Sequence, residues 1–395
     1  MRIAIIEPFP YGGLLHYSTQ LADALADCGN EVDLVVAKEH ELAGRPGPAH
    51  RRALLAPDAT PLPDHPSGMQ IKIRRARTAA RLCSTWLRIA RYVRFSDHDA
   101  ILLGGSFEMA FTSLGGLLVT HLRGRTPIAH VCHNVRPLNR FDAEELHVRS
   151  GPTISLLGRL YPSFDLVFVH GERSRLEFEA TWPVTKLMVI PHGDERLFAD
   201  DPPPPAAEPR ILFFGAWSKM KGLGVLMEAF DELAARKPEV LLTIAGPPAP
   251  EEGESERVLS WASERRARVE VLPGYVPIEE VKDLFARARV VVLPYLTAYQ
   301  SGVVHLAMTM ARATVVTDVG DLPEAVTDGV SGLIVPARDP HALADALERV
   351  LDDAALAERL GGAGHARTLE GSGWPAVAER VQAGLLELVN TTGRR

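Results

Sequence analysis

The chain has 395 residues, 46% hydrophobic and 24% charged, with a net charge of −7; that length exceeds one ordinary core and points to two domains. The acidic balance gives no reason to expect nucleic acid, and three scattered cysteines, Cys28, Cys83 and Cys132, argue against a disulfide framework or zinc site. No apolar run has the length of a secretory leader or a bilayer span, so a cytoplasmic protein, soluble or peripheral at the inner membrane face, is expected.

Ile3–Ile6 reads as a first strand, Pro8 to Gly13 as its loop, Leu14–Cys28 as a helix ended by Gly29, and Val32–Ala37 as the next strand. This βαβ opening lacks G-x-G-x-x-G, so a dinucleotide site is not indicated. Gly12-Gly13 serves either as a tight turn or as a place where backbone approaches a ligand. Proline-rich, aperiodic Leu42–Ser67 reads as a long surface loop. Residues 71–96 hold Lys72, Arg74, Arg75, Arg77, Arg81, Arg88, Arg91 and Arg94 and, before Asp97, no acid. Ala79, Leu82, Trp86, Ile89, Ala90 and Val93 recur at helical spacing among them. Such a helix either covers the sheet with its apolar stripe buried or faces an anionic membrane.

Strands at Ala100–Leu103, Ile128–Cys132, Asp165–Val169 and Lys186–Ile190 follow. Three of them run into histidines, His133, His170 and His192. At the C-terminal end of a parallel strand such a side chain faces the ligand crevice. His133 is read as a substrate contact, His170 and His192 as structural or crevice-lining, and His130 as part of its strand.

Asp200 to Pro209 is a proline-rich stretch that neither a helix nor a central strand accommodates, and marks a linker at 200–209. A second α/β series begins at Arg210–Phe214, with the loop Gly215 to Gly222, a helix at Leu223–Arg236, strands at Leu241–Ala245 and Val269–Leu272, and a helix at Ile278–Arg287. The strand Arg289–Leu293 then leads through Pro294-Tyr295-Leu296-Thr297-Ala298-Tyr299-Gln300-Ser301-Gly302 into a helix from Val303. A strand, a glycine-bearing turn and a helix start together expose free N–H groups at the positive end of a helix dipole; on its own this stretch is either a place for a phosphate or an ordinary βα connection. Strands at Thr314–Val316 and Gly332–Val335 and helices at Asp339–Leu351 and Ala376–Val389 close the chain.

In order and spacing these pieces resemble GT-B fold retaining glycosyltransferases of the GT4-like (group 1) family. The match includes Gly12-Gly13, His133-Asn134, Val189-Ile190-Pro191-His192-Gly193-Asp194, Phe214-Gly215 through Lys221-Gly222, Pro273 to Pro277, Thr317 to Glu324 and Asp328 to Val335. The resemblance implies an α/β protein with two Rossmann-like domains facing each other across a cleft. It divides the chain into an acceptor domain at 1–199, the linker, and a nucleotide-sugar donor domain at 210–372, with a closing helix at about 375–390 packing back on the first domain.

By the same resemblance, Lys219 and Lys221 with the backbone of Gly12, Gly13, Gly215, Ser301, Gly302 and Val303 hold the donor diphosphate and sugar. Gln300 and Ser301 add side-chain contacts, His133 and Lys221 act in catalysis, and Tyr275, Val276 and Pro277 lie near the nucleobase. The donor is a nucleotide sugar, UDP-linked first and GDP- or dTDP-linked as alternatives. No metal is implied, because lysines neutralise the diphosphate. The acceptor is a glycan, a lipid-linked sugar or a small metabolite, and helix 71–96 offers a contact to an anionic membrane.

Two departures stand out. Ala216-Trp217-Ser218 replaces an arginine common after the loop glycine, and lysine cannot reproduce bidentate binding. The Glu-x7-Glu pair of many relatives is missing, its places falling near Ala298 and Leu306; Gln300-Ser301-Gly302-Val303 resembles a subgroup without the pair. A non-catalytic sugar-nucleotide binder and a sugar-nucleotide 2-epimerase are the competing readings.

Overall fold

The computed structural model describes residues 1–55, 68–137, 151–183, 186–199, 201–248 and 253–392, with side chains at 68–75 outside that description. The first half runs β1 (Arg2–Ile6), α1 (Gly13–Asp27), β2 (Glu31–Ala37), β3 (His50–Leu55), α2 (Gly68–Arg94), β4 (Ala100–Leu103) and α3 (Ala110–Leu122). It continues through β5 (Ile128–Val131), α4 (Pro152–Leu160), β6 (Leu166–Val169), α5 (Glu172–Thr181) and β7 (Leu187–Val189). The second half runs β8 (Arg210–Phe214), α6 (Leu223–Arg236), β9 (Leu241–Gly246), α7 (Glu254–Ser263), β10 (Val269–Pro273), α8 (Ile278–Ala286) and β11 (Val290–Leu293). Then come α9 (Gly302–Thr309), β12 (Ala313–Thr317), α10 (Leu322–Ala325), β13 (Leu333–Val335), α11 (Pro340–Asp352), α12 (Ala354–Glu370) and α13 (Trp374–Thr392).

The strands form two all-parallel sheets, ordered β3-β2-β1-β4-β5-β6-β7 and β10-β9-β8-β11-β12-β13. Their Val, Ile and Leu runs are buried on both faces, as helix-covered parallel strands require. Strand order reverses between β1 and β4 and between β8 and β11. Crevices for ligands open at such points, beyond the C-terminal strand ends. The expected fold class, two facing Rossmann-like domains, is what the chain adopts.

Residues 42–67 were expected to be loop throughout, and there the structure differs. His50–Leu55 pairs in parallel with β2 as an edge strand. Of its residues only Leu55 is buried, so its hydrogen bonds come from a neighbour that local sequence cannot reveal. Residues 56–67 lie outside the described part.

In α2 the stripe Trp86, Ile89, Ala90 and Val93 is buried in the first domain, while Arg88, Arg91 and Arg94 remain exposed. The sheet-covering reading therefore holds for this C-terminal part of the stripe, whereas Ala79 is exposed and Leu82 half-buried; Lys72, Arg74 and Arg75 fall among the undescribed side chains. The linker is pinned to the second domain, where the buried Arg312 donates to the carbonyl oxygens of Pro203 and Pro204. Helix α13 returns to the first domain, with Trp374, Val377, Val381 and Leu385 in that domain's core. The two crossings touch, because Trp374 Nε1 donates to the Asp194 carbonyl at 2.7 Å.

The domains also meet at the start of α5. Glu324 accepts the N–H groups of Glu172 and Arg173 at 2.8 and 3.0 Å, and Asp321 accepts from the N–H and hydroxyl of Ser174. Carboxylates of one domain thus cap a helix of the other, at its positive end. Gly171 admits them, since a Cβ there would lie 2.3 Å from Asp321 Cγ. Glu324→Ala is expected to cost roughly 1 kcal/mol, the ordinary worth of a helix cap. A urea midpoint unchanged from wild type would remove this contact from the account of how the domains are held.

Candidate active site

The loops after β8 and β11 meet at the second sheet's switch point. Gly222 makes this possible: its φ is +69°, and a Cβ would stand 1.8 Å from the Pro294 carbonyl oxygen. Leu296 N–H donates to Met220 O at 2.8 Å, so the short turn Lys219–Lys221 lies against Pro294–Leu296. Lys221 Nζ sits 3.6 Å from the centre of the Tyr295 ring, and no carboxylate among the described residues pairs with it. Lys219 is likewise half-buried.

Tyr295 is buried and its hydroxyl shares a hydrogen bond with Ser301 Oγ at 3.2 Å. The Ser301 side chain is thereby diverted, and α9 begins with no side-chain cap. The N–H groups of Gly302 and Val303 stay unpaired at the positive end of this helix. A lysine with no carboxylate partner among the described residues, beside an uncapped helix start, supplies two independent parts that can attract an anion.

Gly215, Gly246 and Gly274 follow one another across the ends of β8, β9 and β10 with φ of +131°, +138° and +132°. Gly215 N–H donates to Ala245 O and Gly274 N–H to Gly246 O. Only glycine holds such angles readily, and a Cβ on Gly246 would meet the Gly215 carbonyl at 2.1 Å, whereas Gly215 and Gly274 face open space. A bare backbone shelf results. Val276 packs on the second domain's core and Pro277 starts α8.

Across the cleft, Glu7 ends β1 fully buried and holds the following loop by accepting from Phe9 N–H and Ser18 Oγ, both at 2.9 Å. Burial pushes this carboxyl up to about 7, against those two bonds. Gly12 N–H is already taken, donating to Glu41 Oε1 at 2.6 Å, which leaves Gly13 as the open start of α1. His16 Nε2 lies 2.5 Å from the same oxygen, and the Tyr275 hydroxyl reaches Glu41 from the second domain. Burial alone would raise the Glu41 carboxyl, but the hydrogen bonds from His16 and Tyr275 hold it below the ordinary carboxylate range. Tyr275, expected beside a nucleobase, therefore also bridges the cleft.

His133 meets Gln300 between the domains. Gln300 Nε2 lies 3.3 Å and His170 Nε2 3.2 Å from His133 Nδ1. Because an amide nitrogen can only donate, the Gln300 placement makes Nδ1 an acceptor and assigns the ring proton to Nε2. Burial, with His192 and His130 nearby, holds His133 far below the usual histidine range, so the ring is neutral. Tyr17 packs edge-on against it, with ring centres 4.8 Å apart. His130 is buried in its strand and bonds Leu103 O at 2.7 Å.

Glu195, on the first crossing, is fully buried; its Oε2 accepts from Gln20 Nε2 at 3.1 Å, and a Cβ on Gly302 would lie 3.3 Å from its Oε1. Burial raises its carboxyl to about 8, reinforced by Asp194 and opposed by Gln20. Sequence reasoning missed Glu195, Glu41, Tyr295 and Gly246. Only Tyr295, directly after an apolar strand and a proline, carries a local signal. At the places of the Glu-x7-Glu pair, Leu306 is in the core and Ala298 presents its carbonyl to Gly320, so neither supplies an acceptor side chain. The carboxylate and imidazole atoms of Glu232, His341 and Asp345 lie close enough for a metal, but Arg236 already ion-pairs with Glu232 and Asp345 at 3.4 and 2.9 Å in this largely exposed group.

Residues 208–353 match the family model for glycosyl transferases group 1. Over 306 residues, 68% of this chain and 75% of the relative, the sequence is 28% identical to an alpha-maltose-1-phosphate synthase of Mycolicibacterium smegmatis. The fold matches sucrose-phosphate synthase from Thermosynechococcus elongatus with a TM-score of 0.76 over 99% of both chains at 20% identity. It also matches Anabaena HepE, solved in complex with UDP, with a TM-score of 0.67 over 98% of this chain and all of that one, at 16% identity.

The Glu195 shift fixes a sign. A folded-state pKa of about 8 against 4.5 means the folded form binds the extra proton, so this group's stabilisation is complete below about 4.5 and lost as pH rises toward 8. Glu195→Gln is expected to flatten that part of the melting-temperature profile between those limits. Parallel profiles for the two proteins would show that Glu195 is already ionised in the fold.

Proposed function

We propose that this chain, a glycosyltransferase of the GT-B fold with a group 1 domain, transfers a sugar from a nucleotide-sugar donor to an acceptor hydroxyl with retention of configuration. The observation that carries the reading is Lys221, held unpaired over Tyr295 beside the uncapped start of α9. Together they offer a full and a partial positive charge where a diphosphate leaving group gains negative charge. The glycine shelf beyond them suits the flat close approach of a ribose and base. A UDP-sugar is the first candidate donor, consistent with the fold shared with UDP-bound HepE; GDP- and dTDP-sugars are the alternatives.

In this scheme the bond from the anomeric carbon to the diphosphate breaks as the acceptor oxygen joins the same face of the sugar. The acceptor proton passes to the departing phosphate oxygen, so no protein base is consumed. His133, neutral with its proton on Nε2, donates a hydrogen bond to the donor sugar. Lys221 and α9 supply the electrophilic help, and the proposed reaction is metal-independent.

The acceptor domain carries a further feature. Arg88, Arg91 and Arg94 are exposed along α2 with Leu87 and Phe95 beside them. We assign this face to an anionic membrane surface presenting the acceptor, although no helix among the described residues is long and apolar enough to cross a membrane. Sedimentation with phosphatidylglycerol vesicles is expected at low salt and to fade at high salt; no binding at low salt leaves a small soluble acceptor.

Donor binding is tested by calorimetry with UDP, GDP and dTDP. Lys221→Ala is expected to weaken the preferred nucleotide by about 10- to 100-fold, the worth of charged hydrogen bonds of roughly 1.5–3 kcal/mol. Turnover with the matching sugar is expected to survive EDTA. Binding without turnover of any acceptor panel would favour a non-catalytic binder, and loss of turnover on chelation would overturn the charge assignment to Lys221.

A further inference from the structure

A second cavity of about 640 Å³ lies behind the turn that starts α9. Ser301, Val304, His305 and Met308, at i, i+3, i+4 and i+7, put one face of that helix on it. Lys221, His133 and the glycine shelf do not line it, and Gln300 and Ser301 form the wall it shares with the donor crevice. Other walls come from both crossings between the domains, Pro191 and His192 on one and Gly371 and Ser372 on the other, from α12, from α10 and the loop after it, and from His170, which also touches His133. The space therefore sits at the hinge.

Its polar groups are built for a ligand. His305 is 9% exposed, and neither its Nδ1 nor Gln300 Oε1 has a hydrogen-bond partner among the described residues. A buried polar atom left unpaired costs about 1–3 kcal/mol, so such atoms in a cavity wall mark a place where something binds. His305 stacks on His192 at 4.5 Å and 7°, which fixes both rings. Burial keeps both neutral, His192 down at about 4. A neutral imidazole offers one donor and one acceptor, the pattern of a hydroxyl group rather than an anion.

Charge argues the same way. Asp321, Glu324 and Glu370 line the cavity, and the one arginine there, Arg367, already donates to Thr327 Oγ1 and the Glu324 carbonyl. Val304, Met308 and Leu322 supply apolar surface for the C–H face of a sugar ring. The volume is within the usual range for small-molecule pockets.

We propose that this hinge cavity binds a neutral polyhydroxylated ligand, a free mono- or disaccharide, at a site separate from the donor crevice. Because its walls belong to both domains and both crossings, occupancy depends on how the domains close. Gln300, with its amide nitrogen on His133 and its oxygen unpaired, links the two spaces. Ligand in one therefore alters affinity in the other, and the effect is reciprocal. The inference does not rest on the identity of the donor.

Calorimetry and saturation-transfer NMR on the full chain, with maltose and glucose as probes and inorganic phosphate as the charged control, test it without any donor present. One of the sugars is expected to bind. Affinity is expected to fall at least tenfold in Ala363→Phe, which fills the cavity from α12, and in His305→Leu, which removes the unpaired nitrogen, with circular dichroism melts reporting whether each folds. UDP affinity of Ala363→Phe is expected within twofold of wild type, and Lys221→Ala is expected to keep the sugar site. Sugar consumed when donor is added marks an acceptor, and a changed rate without consumption marks an effector; both keep the site. No sugar binding, equal binding in both variants, loss in Lys221→Ala, or preference for phosphate would each overturn it. Failure of UDP to bind would count against the donor reading alone.

Discussion

The placement of the α9 helix start depends on one side chain buried in the wrong domain. Tyr299 belongs to the second domain's chain but packs in the core of the first, 4% exposed. Its hydroxyl accepts from Arg136 N–H and donates to Glu177 Oε1, both at 3.1 Å. Gln300, the next residue, is thereby held against His133, and Ser301 and Gly302 follow at the floor of the cleft. Gly320 fits beneath this turn because a Cβ there would lie 1.8 Å from the Ala298 carbonyl, and Asp321 N–H closes onto Tyr299 O at 2.7 Å. The segment that caps α5 and the turn that opens α9 are thus one unit. The anion site is positioned by the same contacts that set the domain angle, which makes its geometry a property of closure and not of the second domain alone.

Burial gives this interface an unusual electrostatic character. Four histidines, His133, His170, His192 and His305, lie in a run across the ends of β5, β6 and β7 and onto α9, and all are pushed down, first by desolvation. Glu7 and Glu195 are pushed up by the same cause. The four imidazoles are thereby kept neutral well into the acid range, and Glu195 keeps its proton up to about pH 8. Lys221 and the α9 dipole therefore have neutral imidazoles and a protonated Glu195 on the α9 side of the cleft, with Glu41 an ionised carboxylate on the opposite side.

Much of this was legible in the sequence. Apolar runs located β1, β4, β5, β8 and β11 within a residue or two, because a strand buried on both faces advertises itself. The loop from Gly215 to Gly222 was identifiable by a glycine directly after β8, and the turn at Gln300–Gly302 by its place between an apolar strand and a helical pattern. What stayed hidden depends on partners distant in the chain. The polar edge strand β3 exists through β2 alone. Helix α12 carries Gly361, Gly362 and Gly364, poor helix formers; Gly361 is there because a Cβ would lie 2.2 Å from the Ala311 carbonyl. Glu41, Glu195 and Glu324 look like any surface acids until the fold sets them at Gly12, Gly302 and the start of α5.

The missing Glu-x7-Glu pair acquires a physical meaning from these placements. Leu306 is sealed in the core and Ala298 contributes only backbone, so no carboxylate from α9 reaches the crevice. Glu195 does approach the same helix start from the first crossing, but it is held protonated. An ionised glutamate beside the open N–H groups of Gly302 and Val303 would compete with a phosphate for them; a neutral one does not. Under the proposed function, recognition through backbone amides and a cation would tolerate variation in the sugar and nucleotide more readily than a pair of carboxylates fixed on hydroxyls. On the same proposal, discrimination among donors would fall to the shape of the glycine shelf and to Gln300, which with His170 touches both His133 and the hinge cavity.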